Sequence, residues 1–260
     1  MDNKKHTPYT TSITEFAPKR VFNPLHKVTI GKHYETRYSN VMDLSEIILV
    51  RHGQANTGAK NEASYDKLSP TGHQQAIWLG DYLRENLKTC DRLICGSLRR
   101  HRETVEGINF QENVQIDPRV NEMRYFDLAE EFKIQTRTPI PNSHEEFISH
   151  APKLFNSWYR GELDAVHESY LHFAQRFKNL ITELIALGGR SVIITSGGVI
   201  SMFIAELFKL GPNGFARLLF PIYNSSIHKF HSWGDEIFMI GYNATPHLDP
   251  EERHYAQTIV

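Results

Sequence analysis

The sequence is organised around Ile47-Ile48-Leu49-Val50-Arg51-His52-Gly53-Gln54. Its first four residues are apolar and three of them are β-branched, which predicts a strand buried on both faces. In an open α/β sheet, ligands bind where such strands end. Here Arg51 offers a planar set of donors that suits phosphate, His52 a ring nitrogen that can attack phosphorus, and Gly53 the freedom to turn sharply beside a ligand. Because the same three residue types also occur at ordinary strand exits, their meaning depends on the rest of the chain.

The length and charge of the chain narrow the class of protein. Its 260 residues suit one large α/β domain or two small ones. Lysine and arginine total 29 against 30 aspartates and glutamates, so there is no basic excess to hold a nucleic-acid backbone. We therefore expect no nucleic-acid partner, and any anion site must be a local feature.

The cysteines and the apolar segments indicate the compartment. Cys90 and Cys95 lie on either side of a predicted strand start and suggest neither a disulfide framework nor a metal site. No apolar run approaches the ~20 residues that cross a bilayer. The polar start Met1-Asp2-Asn3-Lys4-Lys5-His6 lacks the apolar centre of a signal peptide. We expect a cytoplasmic protein with no membrane association, no metal and no other cofactor.

Alternating strand and helix signals predict the fold class. Strands are predicted at 47–50, 92–95, 114–116, 191–195, 224–230 and 236–242, and helices at 70–88, 145–158, 170–187 and 199–210. This alternation predicts an α/β fold with three layers, in which a doubly wound, mostly parallel sheet with an antiparallel edge has helices on both faces. The loops after Val50, Cys95 and Thr195 should then open at the same edge of the sheet. Asn56 and Thr57 lie in the first of these loops, where their donors are expected to line an anion site.

The remaining segments predict the domain organisation. Residues 1–44 carry three prolines and no sustained periodicity, which indicates an irregular N-terminal extension. The folded domain is expected over 45–248, followed by a loose C-terminal tail at 249–260. Within the domain, residues 123–143 have an irregular pattern with two prolines near their end, and we interpret them as an insertion that forms a lid.

Four motifs in a fixed order resemble the histidine phosphatase superfamily, also called phosphoglycerate-mutase-like. They are Leu49-Val50-Arg51-His52-Gly53-Gln54, Leu68-Ser69-Pro70-Thr71-Gly72-His73-Gln74-Gln75-Ala76, Ser97-Leu98-Arg99-Arg100-His101-Arg102-Glu103-Thr104 and Val120-Asn121-Glu122. The resemblance extends over roughly residues 46–248. It implies a phosphoglycerate-mutase-like fold and a site for phosphoryl transfer.

The resemblance also implies roles for individual residues. His52 matches the family's nucleophile, which forms a transient phosphohistidine, and Arg51 and Arg100 match the two arginines that hold the phosphoryl oxygens. Glu122 matches the acid that protonates the leaving oxygen and later activates water. Two arginines around one imidazole suit a reaction that depends on positioning and on stabilising negative charge. Arg99 and Arg102 are expected to be solvated charges on the helix surface.

Ser196 is a departure from the family pattern. The family has a second histidine at the end of the late strand, where this sequence reads Ile193-Ile194-Thr195-Ser196-Gly197-Gly198. Ser196 and Gly197 are therefore expected to contact the phosphate without a charged donor, and such a loss can lower the rate ~10²-fold or more. The Thr-Ser-Gly-Gly form resembles a branch of the family, which favours a native serine, and a substitution that traps a ligand is the alternative.

No other histidine is assigned to the site from the sequence. His101 and His144 are expected to be ordinary surface histidines, and His228 a structural one. The leading hypothesis is a phosphomonoester hydrolase that acts through a phosphohistidine at His52 and is weakened by Ser196. The alternative is a degenerate domain that binds a phosphorylated ligand without turnover, and a phosphomutase is a weaker third option. The expected partner is a small phosphorylated substrate or a phosphoprotein, and a homo-oligomer is compatible with the sequence.

Overall fold

The computed structural model describes residues 44–59, 61–87, 90–110, 113–163, 166–234 and 236–259. The predicted N-terminal extension, apart from Leu44, lies outside these residues. None of the helices in these ranges combines the length and the apolar character of a transmembrane span.

The described residues form one six-stranded mixed sheet. Its strands are β1 (Glu46–Arg51), β2 (Arg92–Cys95), β3 (Val114–Ile116), β4 (Arg190–Thr195), β5 (Ile227–Trp233) and β6 (Glu236–Ala244). They lie in the order β3-β2-β4-β1-β5-β6. The first four strands of this order are parallel, whereas β5 pairs antiparallel with β1, and β6 antiparallel with β5. The predicted mostly parallel sheet with an antiparallel edge is confirmed.

Helices cover both faces of the sheet. They are α1 (Glu62–Tyr65), α2 (Pro70–Asn86), α3 (Arg99–Ile108), α4 (Tyr125–Thr136), α5 (His144–Tyr159), α6 (Tyr170–Leu187), α7 (Gly197–Leu207) and α8 (Gly211–Leu219). Side chains alternate along β1, so Ile48 and Val50 pack in a core with α2 and α3. Ile47 and Leu49 face the opposite core, which is built mainly by α4 to α8. The three-layer α/β architecture is therefore as predicted.

Helix α3, which carries Arg100, is held close to α2. The hydroxyl of Ser69 caps α2 by accepting from the Gly72 N–H at 3.0 Å, and Pro70 occupies the first turn. A Cβ on Gly80 would lie 2.3 Å from the Ile108 carbonyl oxygen. Only glycine permits this close approach of the two helices, which fixes the position of α3 over the sheet.

Two segments differ from the sequence-based expectation. Residues 123–143 are not irregular, because α4 occupies Tyr125–Thr136 and buries Leu128, Ala129 and Phe132. The sequence signal for this helix is weak, because no side chain caps the start of α4. The lid itself stays a prediction.

The C-terminal tail is also ordered, which corrects the expectation that it is loose. A short 3-10 helix at Pro246–Leu248 precedes it, and a second, at Glu251–Ala256, lies within it. The buried amide of Gln75 donates to the Ala256 carbonyl at 2.6 Å and to the Thr258 hydroxyl at 3.0 Å. These long-range bonds fasten the tail to α2, and nothing in the local sequence reveals them.

Candidate active site

The ends of β1 and β4 lie side by side and carry the two central positions of the site. Arg51 pairs with Thr195 in register, and the next residue, His52, donates its backbone N–H to the Thr195 carbonyl at 2.9 Å. His52 and Ser196 therefore follow neighbouring strands at the same edge. The loop after β2 ends at the same place, because Gly96 donates to the carbonyl of Ile194.

His52 is a buried, neutral imidazole with a defined tautomer. Its Nδ1 lies 2.7 Å from the Gly53 carbonyl oxygen, which can only accept, so the proton is on Nδ1. Nε2 consequently carries the lone pair, and it accepts from Arg100 Nε at 3.2 Å. Burial, followed by the charges of Arg100 and Arg51, lowers the pKa of His52 well below its usual value. The ring is thus held in the form that can act as a nucleophile.

Arg51 and Arg100 bring two buried positive charges beside this ring, each only 2% exposed. Arg51 donates from Nη1 to the Ile222 carbonyl, while its buried Nε has no hydrogen-bond partner among the described residues. Arg100 binds the Asp66 carboxylate through Nη1 at 3.0 Å and lies over the Tyr65 ring. Buried guanidinium groups with a free donor form a site suited to an anion.

Asp66 also builds the start of α3. Leu98, at the N-cap position, makes no side-chain cap bond. The Asp66 carboxylate replaces it by accepting from the backbone N–H groups of Arg99 at 2.9 Å and Arg100 at 3.2 Å. One carboxylate therefore caps the helix and orients the guanidinium that the helix carries.

Glu122 lines the same cavity as Arg51 and Arg100, and its carboxyl lies at the N-terminus of α7. Its carboxyl accepts from the Gly198 N–H at 2.8 Å and the Met123 N–H at 3.0 Å. Burial is the main cause that raises the pKa of Glu122. A Cβ on Gly198 would lie 2.2 Å from Glu122 Oε1, so glycine is needed for this contact. The arrangement favours a carboxyl that holds a proton at a higher pH than usual.

Four predicted side chains share one cavity of about 370 Å³. Arg51, His52, Arg100 and Glu122 line it together with Gly197. Its other walls are mainly apolar or aromatic and include Tyr65, Met123, Tyr125, Phe126, Ile140, Pro141, Phe147 and Leu219. A larger groove of about 760 Å³ between α6 and α7 contains none of the predicted site residues.

The structure places Asn56 and Thr57 at the side of this cavity rather than in it. Both line a neighbouring cavity of about 250 Å³, which Arg51 also borders. Asn56 Nδ2 donates to the Ser64 carbonyl at 2.7 Å, so this amide holds the loop in place. Their assignment to phosphate binding stays a prediction. Arg51 and Arg100 line the cavity that contains His52, whereas Asn56 and Thr57 do not.

Ser196 is wholly buried, and its partner is His101. The Ser196 hydroxyl lies 2.7 Å from His101 Nε2, and neither residue is exposed. The expectation that His101 is a surface histidine is therefore wrong: its ring centroid lies 5.6 Å from that of His52. The assignment of His228 agrees with the structure, because it is buried with bonds to the Ser226 hydroxyl and the Asn243 N–H. His144 is exposed as expected, but it also lines the cavity that contains His52, so it is a cavity residue that the sequence did not assign.

Glu62 is a cavity residue that the sequence did not indicate. It accepts from the backbone N–H of Phe126 at 3.0 Å, and burial raises the pKa of its carboxyl. Glu62 and Tyr65 lie on α1, a four-residue helix in a segment with ordinary loop composition, so no sequence signal pointed to them. In the described ranges, no three His, Cys, Asp or Glu side chains are grouped so that they could hold a metal ion.

Several solved structures of known proteins share this architecture. A mutant phosphoserine phosphatase from Entamoeba histolytica superposes with a TM-score of 0.60 at 21% identity, over 78% of this chain and 99% of that one. A mycobacterial glucosyl-3-phosphoglycerate phosphatase gives 0.57 at 22%, over 76% and 98%. A putative alpha-ribazole-5'-P phosphatase from Escherichia coli gives 0.56 at 19%, over 77% and 97%. No curated protein matches the chain significantly in sequence.

Structural similarity at these identities establishes a shared fold only. The sequence itself goes further, because the family model of the histidine phosphatase superfamily (branch 1) matches residues 47–245, which is most of the chain. The motifs inside that range include Arg51, His52, Arg100 and Glu122, which line one cavity. The chain therefore belongs to branch 1 of the histidine phosphatase superfamily.

Proposed function

We propose that the chain is a phosphomonoester hydrolase that forms a phosphohistidine at His52. One observation carries this proposal: the Nε2 lone pair of a neutral His52 lies beside two buried guanidinium groups, in the same cavity as Glu122. Membership of the histidine phosphatase superfamily supports phosphatase activity in general. The positions of the site residues support the specific reaction steps described next.

In the first step, His52 Nε2 attacks the phosphorus, the N–P bond forms and the ester P–O bond breaks. Negative charge on the other phosphoryl oxygens faces Arg51 and Arg100, and stabilising this charge is the main task of such a site. The ring gains positive charge as it attacks. The Gly53 carbonyl, which accepts from Nδ1, stabilises that charge.

Glu122 is the proton donor and acceptor of this scheme. Its protonated carboxyl donates to the leaving oxygen, which departs as an alcohol. The resulting carboxylate then takes a proton from water while the water oxygen attacks phosphorus and the N–P bond breaks. Inorganic phosphate leaves, and His52 and Glu122 return to their starting protonation states. The raised pKa of Glu122 supports this role, because the acid must be protonated before each turnover.

The cavity walls favour a particular kind of substrate. Apart from Arg51 and Arg100, no lysine or arginine lines the cavity within the described residues. Arg124 pairs with Asp127 instead and does not contribute to this cavity. Aromatic and aliphatic side chains form most of the remaining wall. We therefore infer a small phosphomonoester with an aromatic or apolar leaving group, in preference to a phosphoprotein or a substrate with further anionic groups.

A binding domain without turnover is the second candidate, and Ser196 is the observation that favours it. At this position a serine replaces the histidine that the family resemblance implies. The two arginines would still hold a phosphorylated ligand, because a bound anion needs only their donors. The cavity would then bind a phosphorylated ligand without hydrolysing it.

Release of phosphate from p-nitrophenyl phosphate distinguishes the two candidates. The hydrolase predicts turnover, a phosphoenzyme labelled from a radioactive aryl phosphate, and the loss of both in His52→Ala. The matched control is Arg102→Ala, which removes an exposed charge from the same helix and should keep wild-type activity. Phosphate binding that depends on Arg51 and Arg100, with no label and no release, would identify the binding domain and overturn the hydrolase.

A further inference from the structure

We propose that His101 is a positioning residue for phosphoryl transfer, and that it acts through the hydroxyl of Ser196. Together, His101 on α3 and Ser196 after β4 supply the hydrogen-bond donor to the phosphoryl group that a single histidine at the end of β4 would supply. This inference rests on the proposed hydrolase function and adds a residue to its site.

His101 lies on a helix but is not exposed on its surface. It lies in the first turn of α3, directly after Arg100, and is completely buried. Burial, then the Arg100 charge, lowers its pKa well below the usual value, so the ring is neutral. A polar ring in this position costs free energy unless it serves a bond or a reaction. The ring makes one such bond, to the Ser196 hydroxyl, and its centroid lies 5.6 Å from that of His52.

The chain makes room for this ring. A Cβ on Gly96 would lie 2.2 Å from His101 Nδ1. Gly96 does not have a positive φ, so its backbone conformation does not require glycine. The Cβ would also lie 2.4 Å from Asn121 Oδ1, so the glycine after β2 is explained by the space that the imidazole and this amide occupy together.

The hydrogen bonds favour one direction for the His101–Ser196 contact. His101 Nδ1 is buried and has no partner among the described residues. A proton on Nδ1 would leave a buried donor unpaired, which is rarer in proteins than an unpaired acceptor. The proton is therefore better placed on Nε2, which donates to the Ser196 hydroxyl oxygen at 2.7 Å. The Ser196 O–H is then free to donate elsewhere.

Ser196 adjoins the cavity without lining it. It follows β4 as His52 follows the adjacent β1, and Gly197, the next residue, lines the cavity in which a phosphoryl group would be held. A donation from His101 polarises the hydroxyl and makes it a stronger donor to a phosphoryl oxygen. In this scheme no proton is transferred; His101 and Ser196 only orient and strengthen one hydrogen bond.

The same contact predicts that substitutions at positions 101 and 196 depend on each other. With Oγ already 2.7 Å from His101 Nε2, a longer side chain at Ser196 meets the imidazole. Ser196→His alone therefore puts two rings into one space. Removing the first ring, in His101→Ala with Ser196→His, leaves room for the second. The two substitutions should be strongly non-additive.

The test is a double-mutant cycle with p-nitrophenyl phosphate. We expect His101→Ala to lower kcat about 10- to 100-fold with little change in KM, and Ser196→His alone to be at least as impaired. The double variant should recover to within about tenfold of wild type. His101→Gln, which keeps a donor near Nε2, should retain more activity than His101→Ala. Circular dichroism and the Tm of each variant verify that it is folded.

Five outcomes overturn the inference. Ser196→His as active as the wild type would show that the two positions do not share space. A folded double variant no better than the worse single variant would show that an imidazole is not what the site needs. Loss of activity in His101→Ala only in proportion to a lower Tm would indicate a purely structural ring. A wild-type protein without phosphate release or phosphoenzyme overturns the hydrolase and the inference together, whereas an active wild type with an additive cycle overturns the inference alone.

Discussion

Arg100 donates from Nε to Nε2 of His52 across 3.2 Å. This bond occupies the lone pair that attacks phosphorus in the proposed reaction, and with the Gly53 carbonyl at Nδ1 it holds the ring in one orientation. Asp66 fixes the guanidinium from the other side. An incoming phosphoryl oxygen competes for the same Nε–H, so substrate binding exchanges a nitrogen acceptor for an anionic oxygen. In the proposed reaction, Arg100 would orient the His52 ring and then hold the phosphoryl group that the ring attacks.

Arg100→Gln should change both the rate and its pH dependence. Removing one charged donor from the phosphoryl site is expected to lower kcat/KM by about 10²- to 10³-fold. Arg100 is also a cause of the low pKa of His52, so its loss should raise that pKa. Because only the neutral ring attacks, the acidic limb of the pH profile should move to higher pH. The measurement is kcat/KM against pH on an aryl phosphate, with Arg102→Gln as control. An unshifted acidic limb would contradict the assigned cause.

Glu122→Gln should separate substrates by their leaving groups. An amide cannot donate a carboxyl proton, so hydrolysis of alkyl phosphates is expected to fall about 10²- to 10⁴-fold. Formation of the phosphoenzyme from p-nitrophenyl phosphate should fall much less, because this leaving group needs little protonation, and phosphoenzyme should accumulate. In the wild type, the acid is active below the raised pKa of Glu122, so activity should decline only as the pH rises through it. Equal losses for both substrate types would exclude Glu122 as the acid.

The contact between Gly198 and Glu122 predicts a steric effect on activity. A Cβ in Gly198→Ala would lie 2.2 Å from Glu122 Oε1 and 2.5 Å from the Met123 methyl group, so it must displace the carboxyl. We expect kcat to fall tenfold or more. Gly241→Ala is the matched control, since its Cβ meets nothing closer than Lys229 Cβ at 3.9 Å. Steady-state kinetics and the Tm check this, and wild-type kcat in Gly198→Ala would show that the carboxyl tolerates displacement.

The parts of the site that follow strands were predictable from the sequence, and those that depend on side-chain direction were not. Arg51 and His52 end a buried apolar run, and parallel strands bring such ends to one edge. His101 was missed because adjacency to Arg100 does not reveal which way a side chain in the first turn of a helix points. The space beside it depends on Gly96, in a different element.

Contacts between residues far apart in the sequence are the second kind of feature that the local sequence pattern does not reveal. Asp66 caps α3 from 33 residues away in sequence. Gln75 anchors the tail through Ala256 across 181 residues. Helix α4 lacks a side-chain cap, and its three buried residues lie in a segment rich in charged side chains. Such contacts are set by the tertiary fold, which overrides weak local signals.

Buried neutral histidines predict that the protein loses stability in mild acid. Burial lowers the pKa of His228 to about 3 and of His247 to about 4, whereas each titrates near 6.5 in the unfolded chain. Between pH 6.5 and about 4 the unfolded chain binds protons that the folded chain does not, so the free energy of unfolding falls as the pH is lowered, by up to about 1.4 kcal/mol per pH unit for each histidine. Urea unfolding at pH 7.5 and pH 5 should show this loss, and His228→Asn or His247→Asn should reduce it by one proton's contribution. Equal stability of the wild type at both pH values would refute the assignment.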